Sequence, residues 1–332
     1  MEGKTMPART ILITGGTHGL GYHCALSLAR SHPTYTILLA SRTDPNSAAA
    51  TINTTLSQTN THYLPLDLSS PANIRSFIHT FSTSSKKYPP LAALLLNAGM
   101  QYPSGTRYTP SSGIETTFAT NHLGHALLFS LLQPFLADDA RIVITASGTH
   151  DPAQRTGMPT ARFVSAEQLA RPPAAAKGGP TGTNHYTNSK LANVLWGYAL
   201  ERRLEKMREA DGGKRWTVVS FDPGAMPGTG LVREAGVVFR WLVAVVFPRI
   251  VPLLQVLVSK NIRRVEESGE TLAWLAVGEG VEGEKGGYFE ARKRIRSSVQ
   301  SYEVGCQEEL WGWTVKEIAM GGEERRLFEV VG

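Results

Sequence analysis

The sequence predicts a single doubly wound α/β domain with a mostly parallel, seven-stranded sheet and helices on both faces. Three observations indicate this fold class: short apolar runs alternate with helical patterns, the first run ends in a glycine-rich turn, and residues 91–96 are apolar at every position. A continuously apolar strand is typical of a parallel sheet that is covered on both faces. We expect right-handed connections between the strands.

Composition favours a folded domain with a large core and excludes several function classes. The chain has 332 residues, of which 42% are hydrophobic, and a formal net charge of +6. Basic residues are scattered without interleaved aromatic residues, so no nucleic-acid partner is predicted. Cys24 and Cys306 lie far apart, which predicts neither a disulfide nor a metal site. The N-terminus lacks the apolar core of a secretion signal, so we expect a cytoplasmic protein.

The first strand, residues 9–14, leads into a glycine-rich turn and a helical pattern. This context favours diphosphate binding, because the backbone can approach the ligand closely and the helix N-terminus supplies N–H donors. The residues predicted to bind a cofactor in this turn are Gly15, Thr17, His18, Gly19, Leu20 and Gly21.

The spacing Thr-Gly-x-x-x-Gly-x-Gly over residues 14–21 resembles that of the short-chain dehydrogenase/reductase superfamily. The resemblance extends over residues 9 to about 312 and is closest to the retinol-dehydrogenase-like and protochlorophyllide-reductase-like branch. It implies a Rossmann-type fold, a nicotinamide cofactor and oxidoreductase activity.

The second strand, residues 36–40, ends in Ser41 and Arg42. An enzyme that prefers NAD would place an acidic residue here, whereas a hydroxyl and a guanidinium suit the 2′-phosphate of NADP(H). A surface arginine in a loop is the alternative interpretation. We therefore predict NADP(H) as the cofactor, with Ser41 and Arg42 among its ligands.

Two further strands end in residues that the resemblance assigns to the cofactor. Strand three, residues 62–66, precedes Asp67 and Leu68, which the family places near the adenine, although Asp67 could also cap the helix that starts near Pro71. The strand at 91–96 ends in Asn97, Ala98 and Gly99, which match the family's turn beside the cofactor.

The catalytic prediction rests on four residues in family order: Asn121, Ser147, Tyr186 and Lys190. Tyr186 and Lys190 are four apart in a helical pattern, so the phenol and the ammonium share one face, and a nearby cation favours the phenolate. Ser147 follows the fifth strand, at the sheet edge where such folds bind ligands. The resemblance gives Asn121 the role of holding a water chain that leads to the lysine, and it makes Tyr186 and Lys190 cofactor ligands as well.

Asn121 lies in a helix predicted over residues 114–137, which also contains His122 and His125. These histidines are three apart without a third ligand nearby, so we interpret them as structural and predict no metal.

The second half of the chain supplies the predicted substrate pocket. Residues 148–184 form an irregular insert rich in Pro, Gly, Ala and Thr, which we expect to line the pocket. After strand six, Pro223 and Gly224 match the family's turn over the nicotinamide. Residues 231–265 are predicted to form an apolar cap, because charges and prolines divide this stretch into pieces too short to span a membrane. Peripheral membrane contact and burial against the protein core alone are the alternatives.

The predicted organisation is one domain over residues 1–332, and the expected strand at 286–289 is its last. Its segments are the cofactor-binding half (9–147), the insert (148–184), the catalytic helix and Pro-Gly turn (185–230), the cap (231–265) and the C-terminal helix, strand and tail (266–332).

The predicted function is NADP(H)-dependent hydride transfer between nicotinamide and a carbonyl or alcohol of a bulky, largely apolar small molecule. Reduction of an activated C=C bond is an alternative within the same class. A protein that senses NADP(H) without turnover is an alternative from another class. The sequence leaves a homo-oligomer open.

Overall fold

The fold is built on one mixed sheet whose strands alternate with helices. The computed structural model describes residues 9–84, 88–103, 105–173, 181–211, 214–226 and 261–329. The strands are β1 (Thr10–Thr14), β2 (Thr36–Ser41), β3 (Thr61–Pro65), β4 (Leu91–Leu96), β5 (Leu136–Thr145), β6 (Thr217–Asp222), β7 (Gly287–Glu290) and β8 (Lys293–Ile295). Their order across the sheet is β3-β2-β1-β4-β5-β6-β7-β8, with β1 to β7 parallel and β8 antiparallel to β7.

The helices lie in the connections between strands and after the last strand. They are α1 (Gly19–Ser31), α2 (Ala48–Leu56), α3 (Pro71–Ser84), α4 (Thr116–Phe118), α5 (Gly124–Leu132), α6 (Ala166–Ala170), α7 (Gly182–Asp211), α8 (Val265–Val277), α9 (Val304–Ile318) and α10 (Gly321–Glu329). One π-helical turn, Ala119–Leu123, joins α4 to α5.

Hydrophobic cores on both sides of the sheet confirm the predicted doubly wound arrangement. Successive strand residues point to opposite faces, and in β1 Leu12 belongs to one buried cluster while Ile11 and Ile13 belong to the other. The first cluster includes buried residues of α3, α5, α7 and α9, and the second includes those of α1, α2 and α8.

The prediction of seven strands was wrong, because the described residues form an eight-stranded sheet. The additional strand, Lys293–Ile295, follows a tight turn in which Ala291 has a φ of +53°. Two of its three residues are charged, so it lacks the apolar pattern by which the other strands were found.

Other boundaries also differ from the sequence prediction. The helix expected to reach residue 137 ends at Leu132, where a 3₁₀ turn containing Pro134 leads directly into β5. Helix α7 begins at Gly182 and α6 lies at 166–170, so the 148–184 insert is partly helical.

The chain on either side of residues 227–260 is held together beside the end of β6. Ala225 and Ile262 form a parallel bridge, in which the Ala225 N–H donates to the Asn261 carbonyl at 2.8 Å. Most of the predicted cap (231–265) lies outside the described residues. Within the described ranges, no helix combines the length and apolar character needed to cross a membrane.

Candidate active site

A cleft opens along the carboxyl ends of the parallel strands, where α/β sheets bind their ligands. Its empty volume, including space open to solvent, is about 1130 Å³. Predicted site residues that line it are Gly15, His18, Gly19, Leu20, Gly21, Ser41, Arg42, Leu68, Asn97, Ala98, Gly99, Tyr186, Lys190 and Pro223. Residues that sequence reasoning did not single out also line it: Ala40, Thr43, Leu66, Met100, Thr120, Thr145, Ala146 and Met226.

The glycine-rich turn brings the backbone of β1 against the start of α1. Gly15 has a φ of +68°, and its N–H donates to the Ala40 carbonyl at 2.7 Å. A Cβ on Gly21 would lie 2.4 Å from the Gly15 oxygen, so the turn can close only with glycine there. Thr17 is outside the cleft lining and donates its hydroxyl to the Thr43 carbonyl at 3.1 Å. The turn leaves open space at the N-terminus of α1, as a diphosphate would require.

The end of β2 presents a hydroxyl and a guanidinium to the cleft. The Ser41 side chain is buried, and its Oγ has no hydrogen-bond partner among the residues that the structure describes. Arg42 follows and is exposed at the edge of the cleft. A buried hydroxyl without a partner costs free energy unless a ligand satisfies it. The donor set therefore fits the polar ribose end of a dinucleotide.

Asp67 does not line the cleft, although its neighbours Leu66 and Leu68 do. Its Oδ1 accepts hydrogen bonds from the Ser69 N–H at 2.9 Å and the Ser69 hydroxyl at 2.7 Å. Its own N–H donates to Asn73 Oδ1 at 2.7 Å. The side chain thus organises the turn before α3. The helix itself is capped by Ser70 rather than by Asp67, because Ser70 Oγ accepts from the Asn73 N–H at 3.2 Å.

The Asn97–Gly99 turn is held against the end of β1 by Thr14. The Thr14 hydroxyl oxygen accepts from the N–H groups of Asn97 at 2.8 Å and Ala98 at 2.9 Å. It also lies 2.9 Å from Nε2 of His125. Burial lowers the pKa of His125 to about 4, with the nearby Lys190 charge acting in the same direction, so this imidazole is neutral at neutral pH.

Asn121 lies in the π-helical turn, an irregularity that is frequent at functional sites. Its Oδ1 accepts from the Met100 N–H at 2.8 Å, and its Nδ2 donates to the Met100 carbonyl and to Ser189 Oγ, each at 3.0 Å. The amide therefore connects the turn after β4 to helix α7. The amide's donors are engaged with Met100 and Ser189, so a water held by Asn121, as the resemblance implies, would have to donate to an oxygen of this residue. That role stays a prediction.

Tyr186 lines the cleft, is 7% exposed and lies on the first turns of α7. Ser147 follows β5 outside the cleft lining, and its Oγ accepts from the Thr149 N–H at 3.3 Å. Burial raises the pKa of Tyr186 well above its ordinary value, and the nearby Ser147 hydroxyl only partly opposes this. The protonated phenol is thus the favoured form, whereas the sequence argument expected Lys190 to favour the phenolate.

Lys190 lies one helical turn after Tyr186, as the spacing predicts. Its Nζ donates to the Thr145 carbonyl at 2.9 Å and lies 5.6 Å from the centroid of the Tyr186 ring. Burial lowers the pKa of Lys190 to about 8, against the opposing effect of the Asp222 charge. A Cβ on Gly99 would lie 3.4 Å from Nζ, so the ammonium is next to the turn after β4.

The other predicted residues lie around this centre. Gly224 has a φ of +80° and donates its N–H to Asp222 Oδ1 at 3.0 Å, so it shapes the Pro223 turn without lining the cleft. His122 is buried against Thr314, with Nε2 and Oγ1 3.0 Å apart. The described residues contain no group of three or more His, Cys, Asp or Glu that could hold a metal.

A doubly wound sheet with a glycine turn and a Tyr-Lys pair at its carboxyl edge defines a dinucleotide-dependent oxidoreductase fold. Comparison with known proteins gives the family. Residues 9–157 match the short chain dehydrogenase model. Protochlorophyllide reductase of Pisum sativum is 30% identical over 284 residues, covering 81% of this chain and 67% of that protein. The chain belongs to the short-chain dehydrogenase/reductase family, whose members are oxidoreductases that use nicotinamide cofactors and small-molecule substrates.

Other relatives match nearly the whole chain. Polyprenol dehydrogenase of Mus musculus is 27% identical over 329 residues, covering 95% of this chain and 85% of that protein. A short-chain dehydrogenase structure from Shigella flexneri in complex with NADP has a TM-score of 0.56 and 19% identity, covering 86% of this chain and 97% of that one. At that identity the structural match supports the fold.

Proposed function

We propose that this protein is an NADP(H)-dependent oxidoreductase that acts on a carbonyl or alcohol of a bulky, largely apolar molecule. The observation that carries the proposal is the single cleft that contains the glycine-rich turn, Ser41 with Arg42, and the Tyr186-Lys190 pair. In this arrangement a bound cofactor would lie next to the residues proposed to transfer the proton. Within this proposal Asn121, Ser147, Tyr186 and Lys190 are the catalytic set.

The nicotinamide supplies or accepts the hydride when it is bound. Tyr186 donates its proton to the developing alkoxide, and its raised pKa keeps the phenol protonated for reduction. Ser147, whose hydroxyl is near Tyr186, orients and polarises the substrate oxygen. In the reverse direction Tyr186 takes the proton from an alcohol.

Lys190 and Asn121 position the reacting groups. The Lys190 ammonium is fixed by the Thr145 carbonyl, beside Gly99, where it would bind ribose hydroxyls. Asn121 fixes the Met100 backbone through both sides of its amide. These contacts hold the turn after β4 in place against α7, which favours a pre-organised site.

Preference for NADP(H) is proposed from the end of β2. Arg42 can pair its charge with a 2′-phosphate, and the buried Ser41 hydroxyl can add a hydrogen bond. No acidic residue occupies this position to bind an unphosphorylated ribose. The complex of the Shigella flexneri protein with NADP adds support from the same fold.

The apolar substrate class rests on the composition of residues 231–265 and on one relative. That segment includes Val237, Val238, Phe239, Trp241 and Leu242, which need a partner to bury against. Polyprenol dehydrogenase is a relative named for an apolar alcohol. Peripheral membrane contact, self-association and a cytoplasmic location remain sequence-based predictions.

Reduction of an activated C=C bond is the second candidate, favoured by the similarity to protochlorophyllide reductase. A panel of ketones, aldehydes, alcohols and enones, assayed with NADPH, NADH and their oxidised forms, distinguishes the candidates. Turnover of carbonyls or alcohols supports the main proposal, and turnover confined to enones supports the second. Tight NADPH binding with no consumption across the panel would instead indicate a sensor.

A further inference from the structure

Asp222 is a buried acidic residue beside the candidate active site that the Asn-Ser-Tyr-Lys set does not include. It ends strand β6, is 1% exposed and directly precedes the Pro223–Gly224 turn. Its strand neighbour Phe221 pairs with Thr145, the residue whose carbonyl holds Lys190. The sheet register therefore brings Asp222 close to the lysine.

Among the residues that the structure describes, the hydrogen bonds of Asp222 come from neutral donors. Oδ1 accepts from the Gly224 N–H at 3.0 Å, and Oδ2 accepts from Asn261 Nδ2 at 2.8 Å. A Cβ on Gly148 would lie 2.8 Å from Oδ2, so glycine at that position leaves room for the carboxylate. Within the described ranges no cation is in direct contact with this carboxylate, so a charge farther away has to compensate for its burial.

Lys190 is a nearby buried cation, and its charge also needs compensation from an opposite charge. It is 3% exposed, and its hydrogen bond goes to a carbonyl rather than a carboxylate. Among the residues that the structure describes, Asp222 is the acidic side chain whose charge acts on Lys190. Buried opposite charges attract strongly even without contact, because the surrounding dielectric is low.

We propose that Asp222 is a positioning residue of the active site, whose buried carboxylate keeps Lys190 in the charged ammonium form and fixes the Pro223–Gly224 turn to Asn261. The catalytic importance of this role rests on the proposed function. An ammonium binds ribose hydroxyls more strongly than a neutral amine does, and its charge favours proton transfer by Tyr186. A neutral amine at this position would lack that charge.

Asp222 and Lys190 have other titratable groups around them, contributed by the neighbouring helices and strands. These groups are Tyr186 on α7, His125 on α5, His150 after β5, and Tyr288 and Glu290 on β7. Burial lowers the pKa of both histidines, to about 4 for His125, and raises the pKa of both tyrosines, so these four groups are neutral at neutral pH. Glu290 is half-buried and lies 3.8 Å from Arg263. It provides a matched control, because it pairs with Asp222 across β6 and β7, whereas burial and the Asp222 charge are the causes of the Lys190 pKa shift.

The test is a ¹³C NMR titration of lysine side chains in the cofactor-free full chain, with Lys190→Met used to assign the Lys190 signal. The wild-type signal should titrate near pH 8. Asp222→Asn, which removes the charge and keeps the shape, should displace that midpoint downward by about one pH unit. Glu290→Gln should leave it in place.

An unmoved midpoint in folded Asp222→Asn, or an equal displacement in Glu290→Gln, would overturn the proposal. If Asp222→Asn does not fold, Asp222→Ser, which leaves room for a water beside the Gly224 N–H, tests the same displacement. The titration does not depend on turnover, so it separates the two claims. A displaced midpoint with no turnover in the panel rejects the proposed function alone, and an unmoved midpoint in an active enzyme rejects the role of Asp222 alone.

Discussion

Lys190 and Thr145 are joined by a buried hydrogen bond of 2.9 Å from the lysine Nζ to the threonine carbonyl. The bond ties helix α7 to the end of β5, two residues before Ser147. The relative placement of Tyr186 and Ser147 therefore depends on a cation that is costly to bury.

The first prediction concerns the stability cost of that cation. The pKa of Lys190 falls from 10.5 to about 8 in the folded chain, so between these values the unfolded chain binds more protons and stability increases with pH. Below about pH 8 the full free-energy cost of burying the charged ammonium is present. Lys190→Met should raise the free energy of unfolding at pH 7 by up to about 3 kcal/mol, reduced by the lost hydrogen bond to Thr145.

Urea denaturation at several pH values from 7 to 10 measures this effect. The gain in the free energy of unfolding caused by Lys190→Met should become smaller as the pH rises. Lys206→Met, at an exposed position on the same helix, is the control and should change little. An advantage that is the same at every pH would contradict burial of the charge as the cause.

The second prediction is that Tyr186→Phe abolishes turnover while NADPH affinity stays nearly unchanged. The ring still packs, but the transferable proton is lost, which typically costs about 10²–10⁴-fold in rate. Tyr198→Phe on the same helix is the control, because its hydroxyl bonds Ser297 away from the cleft. Turnover at the wild-type rate in Tyr186→Phe would reject the assignment of the proton donor.

The third prediction concerns Arg42, whose pairing with a 2′-phosphate should contribute about 1.5–3 kcal/mol. Arg42→Ala should weaken NADPH binding by about one to two orders of magnitude and leave NADH almost unaffected. Calorimetric titration with both cofactors measures it, with the exposed Arg30→Ala on α1 as control. Equal weakening of both cofactors, or a wild type that prefers NADH, would contradict the preference for NADP(H).

The fourth prediction is that Gly21→Ala damages the cofactor turn. The new methyl group would lie 2.4 Å from the Gly15 oxygen and 2.9 Å from Asn97 Nδ2, so the turn must open. We expect a stability loss of about 1–3 kcal/mol and weaker NADPH binding. Gly312→Ala, where nothing lies within 4 Å, should leave NADPH binding unchanged. Wild-type melting temperature and affinity in Gly21→Ala would show that the turn tolerates a side chain.

The fifth prediction concerns the substrate class and uses Trp241, which lies outside the described residues. Catalytic efficiency should rise over a carbonyl series of increasing apolar size, and Trp241→Ala should lose most on the larger members. Catalytic efficiency that does not change with substrate size, or a Trp241→Ala variant that merely unfolds, would indicate that residues 231–265 stabilise the fold rather than bind substrate. A melting curve for each variant separates these outcomes.

Local sequence signals predicted the parts of the fold and site that depend on neighbouring residues. The apolar run at 91–96 became β4 with the predicted limits, and the four-residue spacing placed Tyr186 and Lys190 on one face of α7. The glycine turn was found because strand, turn and helix are contiguous in the chain.

Contacts between distant residues could not be predicted in this way. Asn121 is engaged with Met100 and Ser189, and Lys190 is held by a main-chain carbonyl that carries no side-chain signal. The burial of Tyr186, which raises its pKa, depends on packing of the whole fold. Sequence patterns did not single out Asp222, because its role depends on the register of β5 with β6.

The antiparallel strand β8 has a consequence for association between molecules. A sheet edge exposes unpaired backbone groups that invite strand addition from another chain. This edge is only three residues long, and Lys293 and Arg294 are both exposed on it. Positive charge and short length therefore oppose the growth of a continuous intermolecular sheet at this edge.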